Sequence, residues 1–193
     1  MTRGFRPALI GIAGASVLAA AGCASRSAPV PDIVTLHAYN GEWVLEAGER
    51  APVGMQFLSQ DGYGFTAEAA EKIVGAMAIR TERFRLEVSD SIFRISSSDQ
   101  QGSSFALPID GTAIEVPGQD GEVQSLTLTW DRGAPVVQRA IPGVGRVSER
   151  FELTGDGALV LTRTGALRNS GGRVVEAVGM RELFYTRNHG SNP

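Results

Sequence analysis

Apolar and charged side chains alternate in the central part of the chain. Phe84, Leu86 and Val88 are apolar, whereas the residues between them are charged. Successive side chains of a β-strand point to opposite faces, so this alternation predicts a strand with one buried face and one face in water. Similar alternation further along the chain adds other apolar side chains to the same interior, namely Leu126, Leu128 and Trp130.

Turn signals separate these segments at short intervals, and the spacing leaves room for one strand between two turns, as in an antiparallel meander. Parallel pairing would need a crossover helix for each pair of strands. The sequence therefore predicts a mainly β fold, an up-and-down antiparallel meander of about nine or ten strands. Closure into a barrel or strong curvature of the sheet would both avoid exposed edges. The turn signals are Asp110-Gly111, Asp120-Gly121, Asp131-Arg132-Gly133, Pro142-Gly143, Asp156-Gly157 and Gly171-Gly172.

Residues 66–79 are the one segment with helical periodicity. Ile73, Val74 and Met77 fall on one face at 3.6-residue spacing, and Thr66 can serve as the N-cap. We therefore expect one short helix here.

The stretch "RVSERFELTGDGALVLTRT" predicts the register of one hairpin around a three-residue loop at residues 155–157. A shift by one residue would bring less apolar bulk together, so the pattern favours the register that gathers apolar residues on one face. The pairs expected on that face are Leu153 with Leu159, Phe151 with Leu161, and Glu149 with Arg163.

Glu149 and Arg163 then form an ion pair on an otherwise apolar face, near one end of the sheet. Two interpretations stay open. The pair is either a structural contact worth roughly 0.2 to 1 kcal/mol, or a polar anchor for the head group of a ligand. Any ligand is expected to be apolar, because the predicted interior is apolar.

The first 22 residues have the pattern of a secretory signal. Arg3 and Arg6 precede an apolar run at residues 8–22 that ends in small side chains. This run is shorter than the roughly 20 apolar residues that a membrane-spanning helix needs. We therefore expect residues 1–22 to be a cleaved signal peptide.

Cys23, the only cysteine of the chain, directly follows Ala20-Ala21-Gly22. This stretch resembles the lipobox of bacterial lipoproteins. The resemblance implies cleavage before Cys23 and acylation of both its sulfur and the new amino terminus, and several acyl chains anchor a protein stably to a membrane. The next residue is Ala24, and not the Asp that commonly retains such lipoproteins at the inner membrane. The resemblance therefore implies the outer membrane, with the domain in the periplasm.

Residues 23–40 are rich in Ser, Ala and Pro in their first half and are interpreted as the lipidated N-terminus and a flexible tether. The domain is predicted at residues 41–187, followed by a disordered tail at residues 188–193. A lipidated Cys23 leaves no internal disulfide, so a packed core must supply the stability. Loss of the signal would change the net charge from −3 to −5, which argues against a nucleic-acid partner.

Gly41-Glu42-Trp43 on the first strand, with Arg181 and Arg187 on the last, resembles the lipocalin or calycin-like barrels. The resemblance implies that Trp43 packs over the barrel floor and that a last-strand Arg stacks on its ring. A plain core role for Trp43 stays open. A closer likeness is to bacterial lipoproteins with a lipocalin-like domain, and it brings no known activity. It rests on the segments "GEWVLE", "SERFEL" and "DGALVLT".

No catalytic residue, metal site or cofactor is predicted. His37 and His189 lie far apart in sequence without clustered ligands. Glu149 and Glu152 would point to opposite faces of a strand and make a poor carboxylate pair. Three classes of function remain, in this order: a module that binds an apolar small molecule or an envelope partner, a structural or assembly lipoprotein that docks on another envelope protein, and a carboxylate-based enzyme.

Overall fold

The computed structural model describes residues 30–46, 66–78, 81–97, 104–118, 121–169, 171 and 174–188. The signal segment, Cys23 and residues 189–193 lie outside these ranges. Neither helix of the described residues is long and apolar enough to cross a membrane. The helices are α1 (Ile33–His37) and α2 (Ala67–Ala78), and the strands are β1 (Gly41–Leu45), β2 (Arg83–Val88), β3 (Ile92–Ser97), β4 (Ser104–Pro108), β5 (Ile114–Pro117), β6 (Val123–Asp131), β7 (Ala134–Ile141), β8 (Gly145–Leu153), β9 (Leu159–Arg168) and β10 (Val174–Arg187).

The ten strands form one antiparallel sheet in the order β4-β3-β2-β1-β10-β9-β8-β7-β6-β5. The pairing of β1 with β10 joins strands from the two ends of the chain, and Trp43 lies opposite Arg187 in that ladder. The sheet thereby curls into a nearly closed barrel. The prediction of a mainly β antiparallel meander is confirmed. Of the two predicted forms, a closed barrel and a strongly curved sheet, the structure is nearer to the closed barrel.

The junction between β4 and β5, which we call the seam, is closed by side chains. Among the described residues no ladder joins these two strands. Trp130 Nε1 donates a hydrogen bond to the carbonyl of Ile109 (3.4 Å), and the guanidinium of Arg139 lies 5.8 Å from the centre of the Phe105 ring. The strands on the two sides of the seam are thus connected through their side chains.

One end of the barrel, the floor, is filled by residues that the sequence analysis assigned to the tether. Leu36 of α1 is fully buried, and Tyr39 is 5% exposed. Asp32 caps α1, since its carboxylate accepts a hydrogen bond from the Val34 N–H (3.2 Å). The prediction of a flexible tether is therefore wrong for residues 33–39. A five-residue helix spans little more than one turn, so it shows no periodicity in the sequence.

The chain end that follows β10 is also held more firmly than expected. Asn188, which was assigned to the disordered tail, donates its backbone N–H to the carbonyl of Glu42 (2.8 Å). Its side-chain amide donates to the carboxylate of the same residue (3.0 Å). The ordered domain therefore extends at least to Asn188.

Helix α2 covers the other end of the barrel and confirms the helix prediction. Thr66 is its N-cap, because Thr66 Oγ1 accepts from the Ala69 N–H (3.1 Å). Lys72 reaches Glu122 in the turn between β5 and β6 (3.7 Å). The buried face of the helix packs on one end of β7, β8 and β9 and on the β7–β8 turn, in a cluster of Ala69, Ile73, Met77, Ile141, Val144, Val147 and Leu167.

Gly165 of β9 allows this helix to approach the sheet. A Cβ atom placed there would lie 2.6 Å from both Ile73 Cγ2 and Met77 Sδ, closer than side chains pack. By contrast, a Cβ atom at Gly75, on the exposed face of α2, would have no neighbouring atom within 4 Å.

Gly165→Ala is expected to lower the free energy of unfolding by roughly 1–3 kcal/mol, because overpacking must push Ile73 or the helix away. Gly75→Ala is the matched control, and it should raise stability by up to about 1 kcal/mol through helix propensity. Urea denaturation of both variants measures the difference. A Gly165→Ala variant as stable as the control would contradict the close packing of α2.

Candidate ligand-binding site

The barrel interior contains a cavity of about 270 Å³ beneath α2. This volume is just below the roughly 300 Å³ at which sites for small molecules begin. Ala76 of α2 contributes to the wall, which places the helix over the cavity. The walls are mostly apolar and are formed by Phe84, Ile95, Phe105, Leu107, Leu126, Val137, Val147, Phe151 and Leu161.

A layer of aromatic rings lies between the cavity and the floor. Phe84 packs edge-on against Phe151 (6.2 Å between ring centroids) and against Tyr185 (4.7 Å). Phe93 packs edge-on against Phe151 (5.9 Å). Edge-to-face contacts of this kind favour fixed ring positions. The cavity is therefore bounded by packed rings on the side that faces the floor.

The floor contains the residues that carried the barrel resemblance. Trp43 is fully buried, and its Nε1 donates to the carbonyl of Tyr39 (3.0 Å). The Arg187 guanidinium lies 4.8 Å from the Trp43 ring centre, so the expected cation–π contact is present with Arg187. A Cβ atom on Gly41 would lie 3.5 Å from the Arg187 side chain. Arg181 pairs with Arg163 in the β9–β10 ladder, and its side chain lies outside what the structure describes.

Tyr39 closes the floor with its ring and its hydroxyl. Burial raises the pKa of Tyr39 above its usual value, although the nearby Arg150 acts in the opposite direction. The hydroxyl therefore stays protonated and donates a hydrogen bond to the carbonyl of Phe151 (3.4 Å). The polar groups of Tyr39 and Trp43 thus form hydrogen bonds with backbone carbonyls of the protein. The floor therefore has a structural role.

The hairpin between β8 and β9 has the register that the sequence predicted. Glu149 lies opposite Arg163, Phe151 opposite Leu161, and Leu153 opposite Leu159. Gly157 has φ +86°, the left-handed conformation expected at the end of this loop.

Glu149 and Arg163 form an ion pair that lines the cavity. Arg163 Nε lies 2.6 Å from Glu149 Oε1, and the side chains are 5% and 22% exposed, respectively. Because the pair is largely buried, its loss should destabilise the fold more than the roughly 0.2 to 1 kcal/mol expected from the sequence. Removing one partner would leave the charge of the other in a site with little access to water. Its two charges cancel, so the pair adds polarity to the cavity without net charge.

A second arginine, Arg139 of β7, also lines the cavity. Its Nη1 donates to Gln124 Oε1 at 3.4 Å, and Gln124 is itself buried, at 8% exposure. Within the described residues no carboxylate lies within ion-pairing distance of Arg139. Sequence reasoning missed Arg139 because β7 begins with four consecutive buried residues and shows no clear alternation. Arg139 could have been found from its position two residues after Val137, because residues two apart on a strand face the same side.

Ser97 of β3 also contributes a polar group to the cavity wall. Its Oγ is buried and has no hydrogen-bond partner among the described residues. A buried hydroxyl without a partner costs about 1–3 kcal/mol, so such a group points to a ligand or a water molecule as its missing partner.

The described residues contain no group of three or more His, Cys, Asp or Glu side chains that could hold a metal ion. Glu149 and Glu152 point to opposite faces as expected: Glu149 lines the cavity, and Glu152 pairs with Arg150 on the exposed side. His37 lies in α1, and His189 lies outside the described ranges.

No model of a known protein family matches this chain, and a search of curated proteins finds no match either. The site itself therefore has to carry the functional argument.

Glu149→Gln is expected to lower the free energy of unfolding by about 3 kcal/mol, because it removes the carboxylate charge that contacts the buried Arg163 guanidinium. Arg163→Met should cost less, since Glu149 keeps partial contact with water, and the double variant should be more stable than Glu149→Gln alone. Urea denaturation of the full double-mutant cycle tests this.

Glu152→Gln serves as the control on the same strand. Its ion pair with Arg150 is exposed, so the change should cost less than about 1 kcal/mol. Equal losses in Glu149→Gln and Glu152→Gln would show that burial adds nothing to the inner pair.

Proposed function

We propose that this protein is a lipocalin-like binding module that holds one small, mainly apolar molecule inside its barrel. The observation that carries the proposal is the cavity of about 270 Å³, with apolar walls and a few convergent polar groups. Ligand sites in proteins commonly combine these two properties. A barrel of this size can also be filled completely by its own side chains, and a filled interior would have favoured a structural role.

The proposal includes a place in the bacterial envelope. The apolar run that ends at Ala20-Ala21-Gly22-Cys23 supports lipidation of Cys23 and anchoring in the outer membrane. Several acyl chains on one residue would hold the protein at the membrane while the barrel remains in the periplasm.

Binding can be tested by filling the cavity. Ile95→Trp adds bulk to a wall residue, and Arg94→Trp adds the same side chain at the exposed neighbouring position. We expect wild type and Arg94→Trp to bind a member of a series of six- to twelve-carbon alkanols and alkanoates, and Ile95→Trp to lose binding at least tenfold. Isothermal titration calorimetry measures affinity, and circular dichroism confirms folding.

Native mass spectrometry of the protein purified from its own host adds an independent test. A retained small molecule that is lost in Ile95→Trp supports the proposal. Protein without ligand, together with no binding in calorimetry, would contradict it and favour the alternative of an assembly lipoprotein.

Cys23→Ser tests the anchor separately. The variant has no sulfur to acylate, so we expect it in the soluble periplasmic fraction, whereas the wild type stays with the membranes. Fractionation followed by immunoblotting measures the distribution. A processed variant that remains on membranes after a salt wash would contradict lipid anchoring at Cys23.

A further inference from the structure

The charges of the described residues that line the cavity do not balance. Two guanidinium groups, those of Arg139 and Arg163, and one carboxylate, that of Glu149, belong to the described residues that line it. Glu149 is engaged by Arg163 at 2.6 Å. One positive charge, that of Arg139, is therefore left at the cavity wall without a carboxylate among the described residues.

The direction of the Arg139 side chain strengthens this point. Val137 lies opposite Glu149 in the β7–β8 ladder, so Arg139 begins at a position diagonal to Glu149 on the same face. Diagonal neighbours are within reach of long side chains. Arg139 instead contacts Gln124 and the Phe105 ring, away from the carboxylate. The inner ion pair thus leaves Arg139 available to another anion.

Arg139 keeps its positive charge, because a guanidinium group is not deprotonated in proteins. Gln124 supplies only a neutral acceptor at 3.4 Å, which leaves several N–H groups of the fork for another partner. Bidentate contact with a carboxylate matches the planar fork and is about twice as strong as a neutral hydrogen bond. Arg139 is half-buried, and an anion is the ligand group that best matches its charged fork at this cavity.

Ser97 provides an independent indication at the same cavity. Its buried Oγ has no partner in the described part of the chain, and a hydroxyl can donate to an anionic oxygen. A donor and a cation thus line the same cavity, whose remaining wall is mostly apolar.

We propose that the ligand is a compact amphiphile with a single negative charge, whose carboxylate binds Arg139 and Ser97 while its apolar body packs against the Phe84, Phe151 and Leu161 side of the cavity. This inference rests on the proposed binding function and names its ligand class. It also assigns the anchor to Arg139, since Arg163 is already paired with Glu149.

Matched ligands separate charge from apolar contact. Octanoate and 1-octanol share the same chain length and differ in charge at pH 7.5. In calorimetric titrations the wild type should bind octanoate roughly ten- to a hundredfold more tightly than 1-octanol, which is the range expected for one charge-assisted hydrogen-bonded contact. This comparison requires no variant and therefore does not depend on how a substitution folds.

Variants then locate the charge. Arg139→Met should reduce octanoate affinity to that of 1-octanol and leave 1-octanol binding unchanged or tighter. Ser97→Ala should weaken octanoate several-fold and spare 1-octanol. Arg132→Met is the control, because Arg132 is exposed in the β6–β7 turn and its loss changes the net charge equally. It should keep the preference for octanoate.

The outcomes distinguish this inference from the proposed function. Equal binding of octanoate and 1-octanol by the wild type, or an octanoate preference that survives Arg139→Met, would overturn the inference and leave the binding function in place. A neutral molecule retained in native mass spectrometry would do the same. Absence of binding across the six- to twelve-carbon series, with no retained ligand, would overturn both.

Discussion

The pairing of the first strand with the last is the contact on which the interior depends. Every other ladder joins strands that are consecutive in the sequence and could exist in an open sheet. Among the described strands, the β1–β10 ladder alone brings distant parts of the chain together, and it does so where Trp43 lies opposite Arg187. The stacking of Arg187 on Trp43 adds a side-chain contact at the same place. Without this closure the inward-facing residues would meet solvent, and the cavity would not exist.

The two ends of the barrel are filled in different ways. The floor is packed by large side chains from α1 and β1, including Leu36 and Trp43, which are both fully buried. The opposite end is covered by α2, a separate element that crosses the strand ends instead of filling the space between them. The cavity remains under this helix, and Ala76 of α2 and Phe151 of β8 both line it. Space for a ligand thus follows from the use of a covering helix at only one end.

Much of the fold could be predicted from the sequence, because period-two alternation and turn chemistry are local signals. The register of the β8–β9 hairpin shows this best: a three-residue loop ending in Gly157 and the apolar face at Phe151 together left one favourable pairing. Helix α1 could not be predicted, since five residues are too few to show periodicity. The cavity could not be predicted from local sequence signals either. Its volume depends on how side chains from six or more strands fit together, and the role of Arg139 depends on where Glu149 finds its partner.

The seam between β4 and β5 gives the barrel a direction of easiest deformation. Widening the barrel at any other described junction breaks a ladder of backbone hydrogen bonds, whereas widening it at the seam separates side chains such as Arg139 and Phe105. Side-chain contacts of this kind are individually weak and can reform in new rotamers, so the seam is the mechanically compliant line of an otherwise stiff wall. Phe105 and Arg139, which form a contact across the seam, also line the cavity. The most easily deformed part of the barrel wall therefore borders the cavity.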